Sequence, residues 1–388
     1  MRSLLFAHDD RITIDDAGKP ISYNYTRHLI DRYRHLADSV TFAVRCDEVQ
    51  PVHWYEDATI VCIPEMKHGR SLARFAAARR AVEGLVASHD VIVARLPSLI
   101  GSWALRAAWQ TDKPVLVEFV GCPWDALWNH SLKGKLAAPY FRVKNQWLMR
   151  RVSHAVYVTE AFLQGRYPCP GVTLACSNVE FSLASEATLA SRQRRLNRLT
   201  SPIVLGTTAN LDVPYKGHDL VIRALAALGD DRERFTYRLI GPGDPARLQR
   251  LAAELGVLDR LEFIGAVDRD DLPAVLDGVD IYVQPSRQEG LPRALIEAMA
   301  HGCVAMGART GGIPELLADE WLVDSGDWRG IAGLLKELPR RDLALAAQRN
   351  WQKASEFQLE ALTAKRRAFY DRFLADHGLE PARGHGGQ

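Results

Sequence analysis

Gln284-Pro-Ser-Arg287-Gln-Glu289-Gly290-Leu291-Pro292-Arg293-Ala-Leu-Ile-Glu297-Ala-Met-Ala-His-Gly302 joins a strand end, a polar loop and a helix start. The preceding Asp280-Ile-Tyr-Val-Gln284 is a short apolar run that reads as a buried strand. Pro292 suits a first helical turn, where its missing N–H is no loss, and Gly302 suits a left-handed C-terminal cap. The spacing therefore predicts a helix over residues 292–300. Leu295, Ile296 and Met299 share its core side, while Arg293 and Glu297 share another at i,i+4 spacing. Glu289 falls beside the free helix N–H groups, and Glu297 more than a turn inside. Such an end attracts phosphate, and Gly290 admits a ligand close to the backbone. Two carboxylates next to an anion site suit the hydroxyl donors of a sugar or ribose. A purely structural reading is open too, with Glu289 capping the helix and Glu297 pairing with Arg293.

Taken with Gly311-Gly312-Ile313-Pro314-Glu315, the run resembles the E-x7-E signature of retaining glycosyltransferases of family 4. The resemblance implies the GT-B fold, two facing Rossmann-like doubly wound α/β domains whose final helix crosses back to the first. It also implies roles for residues. Tyr215-Lys216-Gly217-His218-Asp219 resembles the element placed at the donor diphosphate, which Lys216 would offset as a point charge. Glu289 would hold donor-sugar hydroxyls and Glu297 the ribose, with Gly290, Leu291, Pro292 and Arg293 supplying the helix start. Gly241, in Leu239-Ile-Gly241-Pro-Gly243, and Val267, in Phe263-Ile-Gly265-Ala-Val267, resemble turns near the nucleotide. Relatives often carry an arginine ahead of the lysine; Gly206-Thr-Thr208-Ala-Asn210-Leu-Asp212 has none, so Asn210, Thr208 or Arg287 is expected to stand in.

A chain of 388 residues suits two domains. Its 47% hydrophobic and 25% charged content is ordinary for a soluble protein, and a formal charge of +2 gives no global reason to expect nucleic acid. No secretory leader or membrane span is expected, because Leu4-Leu-Phe-Ala7 runs at once into His8-Asp9-Asp10. Six scattered cysteines read as reduced thiols of a cytosolic protein, and no metal or other cofactor is expected. From Ile203 onward, strand-like runs alternate with helical patterns, which implies a parallel sheet. The first half alternates less cleanly, with strands expected near residues 4–7, 40–44, 91–94, 115–120 and 155–158. The expected division is residues 1–198 plus a helix at about 355–378 for the acceptor side, and 199–354 for the donor side. The basic run 192–198 is expected in a surface connection.

The acceptor side departs from the family pattern. One glycine, Gly18, stands where relatives carry a pair, and Val117-Glu118-Phe-Val-Gly-Cys-Pro-Trp124-Asp125 occupies the place of a customary histidine. Asp125 or Glu118 would then face the reacting sugar, and Arg95 an anionic acceptor. An N-cap aspartate and a structural ion pair explain them as well. Residues 131–151 hold Lys133, Lys135, Arg142, Lys144, Arg150 and Arg151 among aromatic and aliphatic side chains, without one acid. This pattern suits contact with anionic membrane, and a helix packed on its own domain is the plain alternative. The expectation is a cytoplasmic hexosyltransferase, peripheral on the inner face of the cytoplasmic membrane. It would move a sugar from a nucleotide diphosphate to a sugar or lipid-linked acceptor in bacterial surface polysaccharide or glycolipid assembly. An epimerase or sugar-phosphate synthase on the same fold, and a non-catalytic nucleotide-sugar-binding partner, are the alternatives.

Overall fold

A computed structural model describes residues 1–14, 20–21, 27–46, 52–55, 57–63, 72–198 and 200–382. Its first half contains β1 (Ser3–Arg11), β2 (Thr13–Ile14), β3 (Pro20–Ile21), β4 (Ser39–Arg45), β5 (Val52–Tyr55), β6 (Ala58–Ile63), β7 (Val91–Leu96), β8 (Val115–Phe119), β9 (His154–Tyr157) and β10 (Val172–Ala175). The five runs read as strands all pair in one sheet, ordered β10-β9-β8-β7-β1-β4-β6-β5, while β2 and β3 form a separate hairpin. Among the described residues of the large sheet, only the edge pair β5–β6 is antiparallel. Leu4, Phe6, Val91, Val93 and Leu116 are fully buried, as strands covered on both faces require.

The second half contains β11 (Ile203–Thr208), β12 (Phe235–Ile240), β13 (Leu261–Gly265), β14 (Ile281–Gln284), β15 (Val304–Ala308) and β16 (Leu322–Val323). Its parallel sheet runs β13-β12-β11-β14-β15-β16, so the direction of winding reverses between β11 and β14. Ligands of doubly wound sheets sit beyond the strand ends at such a reversal. The first sheet reverses between β1 and β7.

The last helix, Leu359–Asp376, returns to the first half. Leu362, Phe369, Tyr370, Phe373 and Leu374 join the apolar cluster that contains Leu4, Phe6 and Phe42. Arg366 donates to the Ser177 carbonyl and, at 2.9 Å, to Asn178 Oδ1, and His154 Nε2 lies 3.0 Å from Asp376. The same cluster takes in Tyr282, Leu295, Ile296 and Met299, so one continuous core runs through the junction of the halves.

One expectation is refined and one corrected. The basic run covers the end of the helix Glu186–Leu196 and the two residues after it; Arg194, Arg195, Asn197 and Arg198 are exposed, while one side of the helix packs on the second half. Leu189 and Leu196 enter the second core, and the buried Arg192 donates to the carbonyls of Val279 and, at 2.9 Å, Leu276. The chain thus leaves the first sheet after β10 and joins the second core well before residue 198. Nor are all six cysteines thiols: Cys46 and Cys62 form a disulfide, with Cα atoms 5.2 Å apart. Parallel pairing of β4 with β6 sets Arg45 beside Ile63 and so brings the two cysteines together.

Candidate functional site

Because β11 and β14 are parallel neighbours, the loops after them emerge on the same edge of the sheet. The loop after β11 ends in a short turn, Pro214–Lys216, closed by Gly217 at φ 79°. A Cβ on Gly217 would stand 2.2 Å from the Pro285 carbonyl oxygen, so only glycine lets this loop lie flat on the one after β14. The backbone N–H of Arg287 donates to the Tyr215 carbonyl at 2.7 Å and sets the register between the loops. Lys216 Nζ consequently reaches Glu289 Oε1 at 2.7 Å, and Gln284 Nε2 donates to the same oxygen at 3.1 Å. Lysine and carboxylate, predicted separately at one site, meet in a direct ion pair at the reversal point.

The motif helix spans Arg293–Ala300 with Pro292 as its N-cap residue, and Gly302 follows at φ 66°, the left-handed stop expected of it. Leu295, Ile296 and Met299 are fully buried. Glu297 is mostly enclosed; burial pushes its carboxyl above the usual range, against the opposing pull of Arg293 and Arg269. Burial likewise raises the Tyr282 hydroxyl, and the carboxylates of Glu297 and Glu289 add to that effect. The Tyr282 hydroxyl accepts from the Thr208 backbone N–H at 3.2 Å.

Other expected donor residues are engaged locally. Arg287 grips Asp219 with two nitrogens at 2.9 and 2.8 Å and also donates to the Pro214 carbonyl, so its guanidinium braces the loops. Asn210 Oδ1 accepts from the Asp212 N–H at 2.8 Å, a turn closed on itself. Gly241 has φ 143°, and a Cβ there would meet the Ala209 carbonyl at 2.2 Å. Val267 packs on the core cluster.

The acceptor-side candidates are paired or enclosed. Glu118 is 2% exposed, receives Arg95 at 2.7 and 3.0 Å, and accepts from the Tyr33 hydroxyl at 2.7 Å. Burial alone would raise its carboxyl, but Arg95, Arg32 and the Tyr33 hydrogen bond prevail and hold it at about 2. Glu118 is therefore the centre of a buried polar cluster formed with Arg95 and Tyr33. Arg95 lies over the Phe6 ring, 4.7 Å from its centroid. Asp125 accepts from Arg166 with both oxygens, at 2.9 and 3.0 Å. Gly18 lies outside the described residues.

Three features escaped sequence reasoning. Asp9 takes the Leu99 and Ile100 N–H groups at 2.6 and 2.8 Å, so a carboxylate of the chain itself fills the helix start at the first sheet's reversal point. Glu315 reaches across the halves to accept from the N–H groups of Glu160, Ala161 and Phe162 at 2.6, 3.0 and 2.8 Å. Arg269 binds Glu180 through its carboxylate at 3.1 Å and its carbonyl at 2.8 Å. For Glu315 the signal was the quoted glycine-pair motif; for Arg269 there was none, since its partner lies 89 positions away.

Residues 193–356 match the sequence model of the family described as Glycosyl transferases group 1. Protein CapJ of Staphylococcus aureus is 27% identical over 244 residues, which cover 62% of this chain and 61% of that protein. A D-inositol 3-phosphate glycosyltransferase of Mycolicibacterium vanbaalenii is 31% identical over 206 residues, 47% of this chain and 45% of that one. The chain thus spans under two thirds of the length of these curated relatives. Among solved structures, Anabaena HepE in complex with UDP-glucose superposes with a TM-score of 0.66 at 18% identity, over 96% of this chain and all of that one. The fold is GT-B.

Proposed function

We propose that this chain is a retaining glycosyltransferase that moves a hexose from a nucleotide diphosphate sugar to an acceptor hydroxyl. One observation carries the reading. The Lys216–Glu289 pair sits at a helix N-terminus on the reversal point of the second sheet, inside the segment that matches the family. A diphosphate entering there meets a lysine and the N–H groups of a helix start, both of which stabilise negative charge as it develops on a leaving group. Released from the lysine, Glu289 accepts hydrogen bonds from donor-sugar hydroxyls, and Glu297 takes the ribose. Lys216 and the backbone N–H groups of Gly290 and Leu291 balance the leaving charge without a metal. The anomeric carbon loses its bond to the diphosphate oxygen and gains one to the acceptor oxygen on the same face. The acceptor proton passes to the departing phosphate.

The UDP-glucose held by the HepE neighbour supports a nucleotide-sugar donor of this class. The acceptor, in this reading, is a sugar or lipid-linked hydroxyl used in surface polysaccharide or glycolipid assembly at the inner face of the cytoplasmic membrane. Among the described residues no helix is long and apolar enough to cross a membrane.

Incubation with UDP-, GDP- and ADP-sugars and an extract of lipid-linked acceptors should release free nucleotide diphosphate from one donor class. Glu289→Ala and Lys216→Ala should each slow that release about a hundredfold or more, the scale of losing a group that stabilises the transition state. Equal release by parent and variants would sink the assignment.

A further inference from the structure

The helix Leu132–Met149 buries Gly134, Ala138, Asn145, Leu148 and Met149 against its own domain. With about 3.6 residues per turn, these five project into a sector roughly 100° wide. On the opposite side a second apolar row stands mostly clear of the domain: Leu132 is 80% exposed, Leu136 84%, Tyr140 65% and Val143 64%, and the row ends at Trp147, 38% exposed, whose ring lies 6.3 Å from that of Trp109. Those side chains fall within about 80° of arc and run about 22 Å along the helix. A helix needs one apolar face to hold its place in a domain, so the second row calls for another partner.

Charge identifies that partner. Lys133, Lys144 and Arg151 flank the row on one side and Lys135 and Arg142 on the other, and residues 131–151 include no acid. The Arg151 guanidinium sits 3.9 Å above the Trp147 ring, and Lys135 lies 5.6 Å from the Trp128 ring, so cations border the apolar surface directly. A second copy of the chain seated on the same row would bring like-charged flanks together. An anionic lipid surface satisfies both parts: it takes the apolar row into the head-group boundary and pairs the flanking cations with phosphates.

We propose that this face docks the protein on an anionic bilayer, with the helix lying parallel to the membrane plane. The helix begins beside the candidate site, because Asn129 Nδ2 donates to the Arg287 carbonyl at 3.1 Å. Docking therefore holds the loop of Glu289 near the lipid surface. The inference stands apart from sugar transfer, since lipid binding is read without any substrate.

Vesicle sedimentation of the full chain tests it. The protein should pellet with phosphatidylcholine vesicles containing about a third phosphatidylglycerol, at least tenfold more than with phosphatidylcholine alone, and added salt should release it. The double variant Leu132→Asp/Leu136→Asp should lose about tenfold or more in binding while its melting temperature and circular dichroism stay those of the parent. Lys133→Glu/Lys135→Glu, changed only at exposed positions, should lose binding to the anionic vesicles by a similar factor. Failure of the parent to prefer anionic vesicles, or unchanged binding by the leucine variant, overturns the proposal. So does a parent that runs as a dimer and becomes monomeric on Leu136→Asp without having bound lipid.

Discussion

Glu118 shows what a single buried charge requires. Its two oxygens are shared among Arg95 and Tyr33, and the enclosure that would expel a lone carboxylate is outweighed by the cations around it. Removing the charge and keeping the shape should therefore be severe. Glu118→Gln is expected to lower unfolding free energy by about 3 kcal/mol, because the charged pair with the largely enclosed Arg95 guanidinium is broken. Tyr33→Phe should lose only about 1 kcal/mol, one hydrogen bond. Urea unfolding midpoints check the ranking, and a larger effect at Tyr33 would refute it. Asp9 and Glu289 offer a contrast at the same scale. Each lies near a helix start at a sheet reversal, but Asp9 binds the amides itself whereas Glu289 is held aside by Lys216 and Gln284.

Elements meet across the two halves through backbone as much as side chains. Gly290 approaches the Val120 carbonyl so closely that a Cβ would stand 2.5 Å away, and the Gly312 N–H donates to the Gly290 carbonyl at 2.6 Å. Beside them Glu315 caps residues 160–162 of the facing half. Glu315→Ala should leave three N–H groups without their acceptor, lower stability by about 1–2 kcal/mol and open the halves in X-ray scattering. Glu315→Gln, which still accepts, should lose less; equal behaviour of the two would show that the carboxylate is not the tie. The motif helix, its proline start and its glycine stop were legible because each rests on chemistry within a dozen residues. The strands β6 and β10 were not, since Ala58–Ile63 and Val172–Ala175 lie toward the two ends of the sheet, are only partly buried, and become strands by pairing with β4 and β9. The candidate site divided along the same line. Lys216 and Glu289 were legible from local motifs, whereas the occupation of Asp125 by Arg166, 41 positions away, needed the folded chain.

At the scale of the molecule, pH acts through groups the fold keeps from water. Burial, with Arg95 second, lowers His8 to about 3; burial, with Arg247 second, lowers His218 to about 4. Both rings stay neutral in the folded chain, while in the unfolded chain they take protons near 6.5. Between those limits the unfolded state binds more protons, so stability falls as pH drops from about 6.5 toward 4. Glu118, lowered to about 2 from 4.5, contributes fully above 4.5 and loses its contribution as pH falls below that value. Melting temperature should accordingly decline steadily over this window, and His218→Asn should flatten part of the slope. A flat profile between pH 7 and 5 would contradict the burial of both rings. The returning helix has a consequence in the order of synthesis. Leu362, Phe369, Tyr370, Phe373 and Leu374 complete the core that Leu4 and Phe6 begin. A ribosome thus releases the first half of the chain long before its last wall exists, and that half must wait, partly open, until residue 376 has emerged.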